Sequence, residues 1–263
     1  MHHSFVTKAL EAIKPISNIT GLAAGGSWID NKLDEYSDID LVLVTEQKTS
    51  DSPEQMYAYA AKLGKLLNAF TGEHVGEKRL LICMYDDPLI HVDIKFVTPE
   101  EFKERVEDPV VLWDRDGVLA QTIKDFPSVW PKLNYQWIED RFWTWIHYAS
   151  LKFGRGELFE TIDFLSALRG MVLAPLMQIK NRQLPRGLRR VEQNFITEDL
   201  EALKQTVPEY SRESIVKSAR QSIAVYRGLR DVLFDQHVIR RTETEQKCVA
   251  YFEEIAKEAV SKE

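Results

Sequence analysis

Two carboxylates stand at i and i+2 in Asp38-Ile39-Asp40-Leu41-Val42-Leu43-Val44, and ten residues separate this segment from the turn Gly25-Gly26-Ser27. In a strand, i and i+2 side chains point to the same face, so Asp38 and Asp40 project together while Ile39 and Leu41 pack behind them. Two neighbouring carboxylates repel unless a cation sits between them, which makes this pair a candidate divalent-metal site. A glycine turn that ends in a hydroxyl offers backbone amides and one oxygen to phosphate. A third acid, Asp93, lies in His91-Val92-Asp93-Ile94-Lys95-Phe96, between apolar neighbours where an unpaired charge is costly. Three carboxylates on two strands beside a phosphate-binding turn match two-metal phosphoryl chemistry, in which one ion grips phosphates and the other acidifies an attacking hydroxyl.

The elements that must carry these residues are legible in the pattern. A helix is expected over 4–14, ending near Pro15, then a strand Ile19 to Ala24 running into the glycines and a second strand over 39–45. Ser52-Pro53-Glu54-Gln55 reads as a capped helix start with a capping box, and that helix is expected to reach Phe70 and stop at Gly72. Strands follow at Leu80 to Tyr85 and His91 to Val97, joined by an Asp86-Asp87-Pro88 turn. Thr98 to Glu101 repeats the capping chemistry, and Val110 to Trp113 is a last strand before the turn Asp114 to Gly117.

Beyond Pro127 and Pro131 only helical periodicity remains. Ile138, Phe142, Trp145, Ile146, Ala149 and Phe153 share one face over 135–153. A second helix begins near Glu157, with Pro175 expected to kink it. A third spans 212–236, and a fourth opens with a Thr242/Glu245 capping box and carries Val249, Phe252 and Ala259. The expected fold class is therefore α+β: a mixed-sheet domain over residues 1–127 and a helical bundle over 128–263.

Composition narrows the function classes. The chain has 263 residues, 29% of them charged and 44% hydrophobic, the balance of a globular protein. Residues 1–125 carry 13 Lys/Arg and 22 Asp/Glu, a net of −9, and the remainder carries 21 and 19, a net of +2. So acidic a first half lacks the basic footprint of a nucleic-acid binder. No signal-peptide pattern or membrane-length apolar run is apparent, and Cys83 and Cys248 match no metal or disulfide spacing, so a reducing cytoplasm is the expected compartment.

Together the turn Gly26-Ser27, the pair Asp38 and Asp40, and Asp93 resemble the signature of the polymerase-β-type nucleotidyltransferase superfamily. Within it, His91 to Val97 and Asp114-Arg115-Asp116-Gly117 are similar to segments of the antibiotic nucleotidyltransferases of aminoglycoside 6-adenylyltransferase, streptomycin and lincosamide type. The resemblance implies a Mg²⁺-dependent enzyme with two ions. It would move a nucleoside monophosphate, AMP from ATP, to a hydroxyl of a small acceptor such as an aminoglycoside, and release pyrophosphate. Gly25, Gly26 and Ser27 would hold phosphates, Asp38, Asp40 and Asp93 the metals, and Asp93 could serve as base. Where relatives carry a small residue and an arginine after the turn, this chain has Trp28-Ile29-Asp30-Asn31, so the basic contact must come from elsewhere.

Lys95, Lys152 and Arg155 are the candidates for that basic contact, with an ion pair to Asp93 as the competing role for Lys95. Glu157 and Asp163 are candidate acceptor ligands. Arg182, Arg186, Arg189 and Arg190 read as a solvated basic face, and Trp137, Trp143 and Trp145 as bundle core. The histidines show no ligand spacing, although His147 invites attention. Two alternatives remain: transfer to a macromolecule such as tRNA or protein, and a nucleotide-binding regulator without turnover.

Overall fold

In the computed structural model, residues 1–260 are described, with the side chains of Ala259 and Val260 excepted. The chain divides into two compact units, Met1–Pro131 and Lys132–Glu263. The first holds a six-stranded mixed sheet and the second is helical, an α+β protein as expected.

The sheet has the order β3-β4-β5-β2-β1-β6, with β1 Ile19–Ala24, β2 Ile39–Thr45, β3 Lys65–Gly72, β4 Glu77–Asp86, β5 Ile90–Val97 and β6 Val110–Asp114. Only β2 and β5 run parallel; every other neighbouring pair is antiparallel. Helices α1 (His2–Ile13) and α2 (Pro53–Leu63) cover one face. Phe5, Val6, Ala9, Ile13, Met56, Ala60 and Leu63 pack there with Ile39, Leu41, Leu43, Val92, Ile94 and Phe96. The period-two alternation of β2 and β5 thus puts their aliphatic side chains into this core and Asp40 and Asp93 onto the opposite face. Within this unit, one end of that face is covered by a helix. Helix α3 (Val118–Asp125) brings Leu119, with Phe102, onto Ala23, Val44 and Val97. α3 comes so close that a Cβ on Gly21 would lie 2.6 Å from a Leu119 methyl.

The structure departs from the expectations at several points. α2 ends at Leu63, with Gly64 beyond it, and 65–72 is the edge strand β3 rather than more helix. α3 has no counterpart in the sequence reading. The Thr98/Glu101 box forms, with Thr98 N donating to Glu101 Oε2 at 2.9 Å and Glu101 N to Thr98 Oγ1 at 3.2 Å, but it opens only a short 3₁₀ turn. The Thr242/Glu245 box does not form: the Glu245 carboxylate binds Arg227 at 2.7 Å and Arg230 at 2.6 Å.

The helical unit contains α4 (Tyr135–Gly154), α5 (Leu158–Leu168), α6 (Ala174–Lys180), α7 (Val191–Asn194), α8 (Thr197–Lys204), α9 (Arg212–Leu233) and α10 (Thr242–Val260). Between α5 and α6, residues Arg169–Leu173 form a π-helical turn just before Pro175, whose missing N–H already interrupts the α ladder. The stretch Leu158–Lys180 is long and apolar enough to cross a membrane by length and composition alone. Its Leu165, Leu168, Val172, Leu173 and Leu176 are core residues of this unit. Trp143 is buried as expected, whereas Trp137 is 43% exposed with Arg141 stacked 4.3 Å from its ring, a correction to its core assignment. The expected contact of Ala259 lies outside the described residues.

One charged cluster is sealed inside the helices. Glu139, fully buried, accepts from Trp143 Nε1 at 3.2 Å, Tyr226 Oη at 2.6 Å and the Arg241 amide at 2.9 Å, and lies 3.4 Å from Arg230. Burial and the adjacent carboxylate raise the Tyr226 hydroxyl pKa.

Candidate active site

The parallel register of β2 and β5 sets Asp40 directly opposite Asp93, and Asp38, just before the start of β2, lies near enough to Asp93 for its charge to act on it. Two acids therefore stand side by side on one sheet face, with a third close by. Repulsion between two carboxylates about 5 Å apart costs on the order of 3 kcal/mol at an effective dielectric of about 20. Each fully buried aliphatic neighbour behind them contributes about 1.5–3 kcal/mol, so the packed back of the strands outweighs the repulsion at the front. Asp93 registers the strain: burial and the charge of Asp38 lift its pKa above the ordinary carboxylate value, against an opposing pull from His91.

The glycine turn is built onto Asp40. Gly25 N donates to the Asp40 carbonyl at 2.9 Å, and Gly26, at φ +56°, passes so close that a Cβ there would lie 1.9 Å from Asp40 Oδ2. Only glycine combines that left-handed backbone with that approach. Ser27 follows in a 3₁₀ turn, Gly26–Trp28, and is buried. The loop from here to Asp38 is anchored by α1: His3 packs edge-on against Trp28 at 4.6 Å, and His2 Nε2 donates to the Ser37 carbonyl at 2.7 Å. The residues that follow the turn are thus occupied in fixing the loop that presents Asp38.

His91 was missed by the sequence reading. Its Nε2 lies 2.9 Å from Asp93 Oδ1. The signal was available in the His-x-Asp spacing, which puts both on one face. His147 instead lies against the Tyr251 ring at 4.8 Å. Lys95 is not paired with Asp93: its Nζ is 2.8 Å from Glu77, which also takes Arg79 at 2.8 Å. Those two cations hold the Glu77 carboxyl down to about 2.

The Asp114-Arg115-Asp116-Gly117 segment does structural work. Arg115 donates to the carbonyls of Lys14, Ile16 and Ile19, and Asp114 Oδ2 accepts from Ala120 N in the first turn of α3. In the helical unit, Lys152 Nζ is 3.1 Å from Glu157 and 2.8 Å from Glu160, while Arg155 stands 4.0 Å from Glu157. Glu157 precedes α5 as its N-cap residue without a side-chain cap bond, and Asp163 is exposed on α5.

Carboxylates are the hard oxygen donors that Mg²⁺ takes, and a carboxylate lifted by a like charge gains from a nearby cation. Donor type and common face fit such an ion. Among the described residues no three His, Cys, Asp or Glu side chains converge on one point, so a closed ligand cage is not preformed.

No protein-family model matches the chain, and no curated protein matches it. Three solved structures are similar over nearly its whole length. An aminoglycoside 6-adenyltransferase from Bacillus subtilis is 16% identical, with 97% of this chain and 96% of that one covered and a TM-score of 0.35. A nucleotidyltransferase-like protein from Exiguobacterium sibiricum is 10% identical, with 100% and 92% covered and a TM-score of 0.38. A spectinomycin adenyltransferase from Enterococcus faecialis, crystallised with ATP and spectinomycin, is 10% identical, with 97% and 99% covered and a TM-score of 0.31.

Proposed function

We propose that the protein is a divalent-metal-dependent nucleotidyltransferase that moves AMP from ATP to a hydroxyl of a small acceptor and releases pyrophosphate. The observation that carries this reading is the direct pairing of Asp40 with Asp93, with the charge of Asp38 acting on Asp93 and the Gly26 backbone packed against Asp40.

Asp38 and Asp40 would hold two Mg²⁺ ions, with Asp93 either completing the second ion's site or serving as base; the ions would supply charge neutralisation for the phosphates and acidify the attacking hydroxyl. The amides of Gly25, Gly26 and Ser27 and the Ser27 hydroxyl orient the triphosphate. As base, Asp93 takes the proton of the acceptor hydroxyl, whose oxygen bonds to the α-phosphorus as the bond to the bridging oxygen breaks. The electron pair leaves with pyrophosphate. His91 holds one oxygen of Asp93 and so fixes the orientation of the other.

Lys95, Lys152 and Arg155 are the proposed basic phosphate contacts, and Glu157 and Asp163 the proposed acceptor contacts. The test is pyrophosphate release from ATP with Mg²⁺ across aminoglycosides, lincosamides and tRNA. Release with a small hydroxylated compound supports the reading. Release with tRNA alone moves the acceptor to a macromolecule. ATP binding without release from any compound replaces the enzyme with a nucleotide sensor.

A further inference from the structure

The face that carries the acids continues past them as an apolar strip. Registers set Ile82 of β4 opposite Asp93 and Phe70 of β3 opposite Ile82, so one row across the sheet reads Phe70, Ile82, Asp93, Asp40. In the adjacent row Met84 lies opposite His91. Directly opposed residues share a face, so Phe70, Ile82 and Met84 lie on the side of the acids. Phe70 is 45% exposed, its ring 5.8 Å from His74, and Met84 is 36% exposed. At the strand spacing of about 4.8 Å, Phe70 stands roughly 10 Å from Asp93, the length of a two-ring molecule.

We propose that Phe70, Ile82 and Met84 determine acceptor specificity, as the platform for a ring with an apolar, C–H-rich face such as a sugar or fused carbocycle. This rests on the transfer reading above. In that reading the glycine turn and its phosphates lie on the β1–β2 side of Asp40. A hydroxyl that surrenders its proton to Asp93 therefore belongs to a molecule whose body extends the other way, over β4 and β3. The side chains it meets there are Ile82, Met84 and Phe70. An acidic pair at one end and an apolar strip at the other select an acceptor that is polar at the reacting end and apolar along one face.

The test uses the full chain with Mg²⁺·ATP and the acceptor panel above, comparing wild type, Phe70→Ala, Met84→Ala, the double variant and Phe70→Trp. Both positions are exposed, and circular dichroism melts confirm folding. The expected result is an acceptor KM raised about tenfold in the double variant, an unchanged KM for ATP, and recovery in Phe70→Trp. An unchanged acceptor KM overturns the proposal. So does a rise confined to the KM for ATP, which makes the strip a nucleobase platform. So does a shift from dimer to monomer by light scattering with unaltered kinetics, which makes it an interface between copies. A wild-type chain that releases no pyrophosphate with any compound fails one level earlier, at the transfer reading, and takes this proposal with it.

Discussion

Two clusters of charge in this protein obey opposite rules. In the helical unit Glu139 is fully buried, yet its oxygens meet Trp143, Tyr226, Arg241 and Arg230, and Arg230 is shared with Glu245. In the sheet unit Asp38, Asp40 and Asp93 are only half-buried, yet they share a face with like charge, and Asp93 shows it in its raised proton affinity. The first cluster satisfies its own charge from within the chain and serves the fold. The second sets acid opposite acid across two strands, an arrangement that raises the proton affinity of Asp93 and that we read as the candidate site.

Substitutions can break this contrast. Asp40→Asn should lower pyrophosphate release by on the order of 10³-fold or more while leaving the circular dichroism melt nearly unaltered; turnover close to wild type would remove the metal assignment. Glu139→Ala should do the reverse. Tyr226, Trp143 and the Arg241 amide lose their buried acceptor while Arg230 keeps Glu245, so about 1–3 kcal/mol should be lost in a urea titration, with no change in kcat per folded molecule. Equal losses of activity from the two variants would erase the distinction between the clusters.

Gly26→Ala sharpens it from the backbone side. The added methyl meets Asp40 Oδ2 at 1.9 Å, and alanine is strained at φ +56°, so about 1–3 kcal/mol of stability should be lost together with most activity. Retention of both would separate the turn from Asp40. The smallest effect concerns Asp93. A carboxylate with a raised native pKa favours the folded state while protonated and loses that contribution as pH rises from the ordinary carboxylate range through its own pKa. Asp93→Asn should therefore match wild type in melting temperature near pH 3 and exceed it at pH 7, net of the lost His91 hydrogen bond, while losing turnover. A melting temperature below wild type at pH 7 would show that the acids stabilise the fold.

The sheet of the first unit and its acids were legible because period-two alternation in β2 and β5 is strong and each strand is bounded by turn residues. β3 was not. Lys65-Leu66-Leu67-Asn68-Ala69-Phe70 lies on a sheet edge with a register shift between Leu66 and Asn68, which blurs alternation, and it follows a well-capped helix whose pattern absorbed it. Gly64 was the one local signal of the break. That loss mattered, since Phe70 is on this strand. His91 was hidden for a different reason: its meaning depends on Asp93 facing a neighbouring acid, a relation that only strand pairing creates. The same holds for Glu77 and Lys95, which meet by strand pairing and not by sequence spacing.

Strand β1 pairs with β2 on one side and with β6 on the other, and about ninety residues separate Ala24 from Asp114. At a synthesis rate of about 5–20 residues per second, one edge of β1 waits about 5–20 s for its second neighbour. Only β2 is made early in that interval; β5 is complete about a dozen residues before β6 begins, so Asp40 and Asp93 can meet only shortly before β6, the Arg115 contacts and α3 exist. The pairing of the acids and the clasp that closes the sheet therefore form close together in the life of each molecule. Until Arg115 reaches the carbonyls of Lys14, Ile16 and Ile19, the nascent chain carries an open β edge, a vulnerable interval in which a chaperone has most to do.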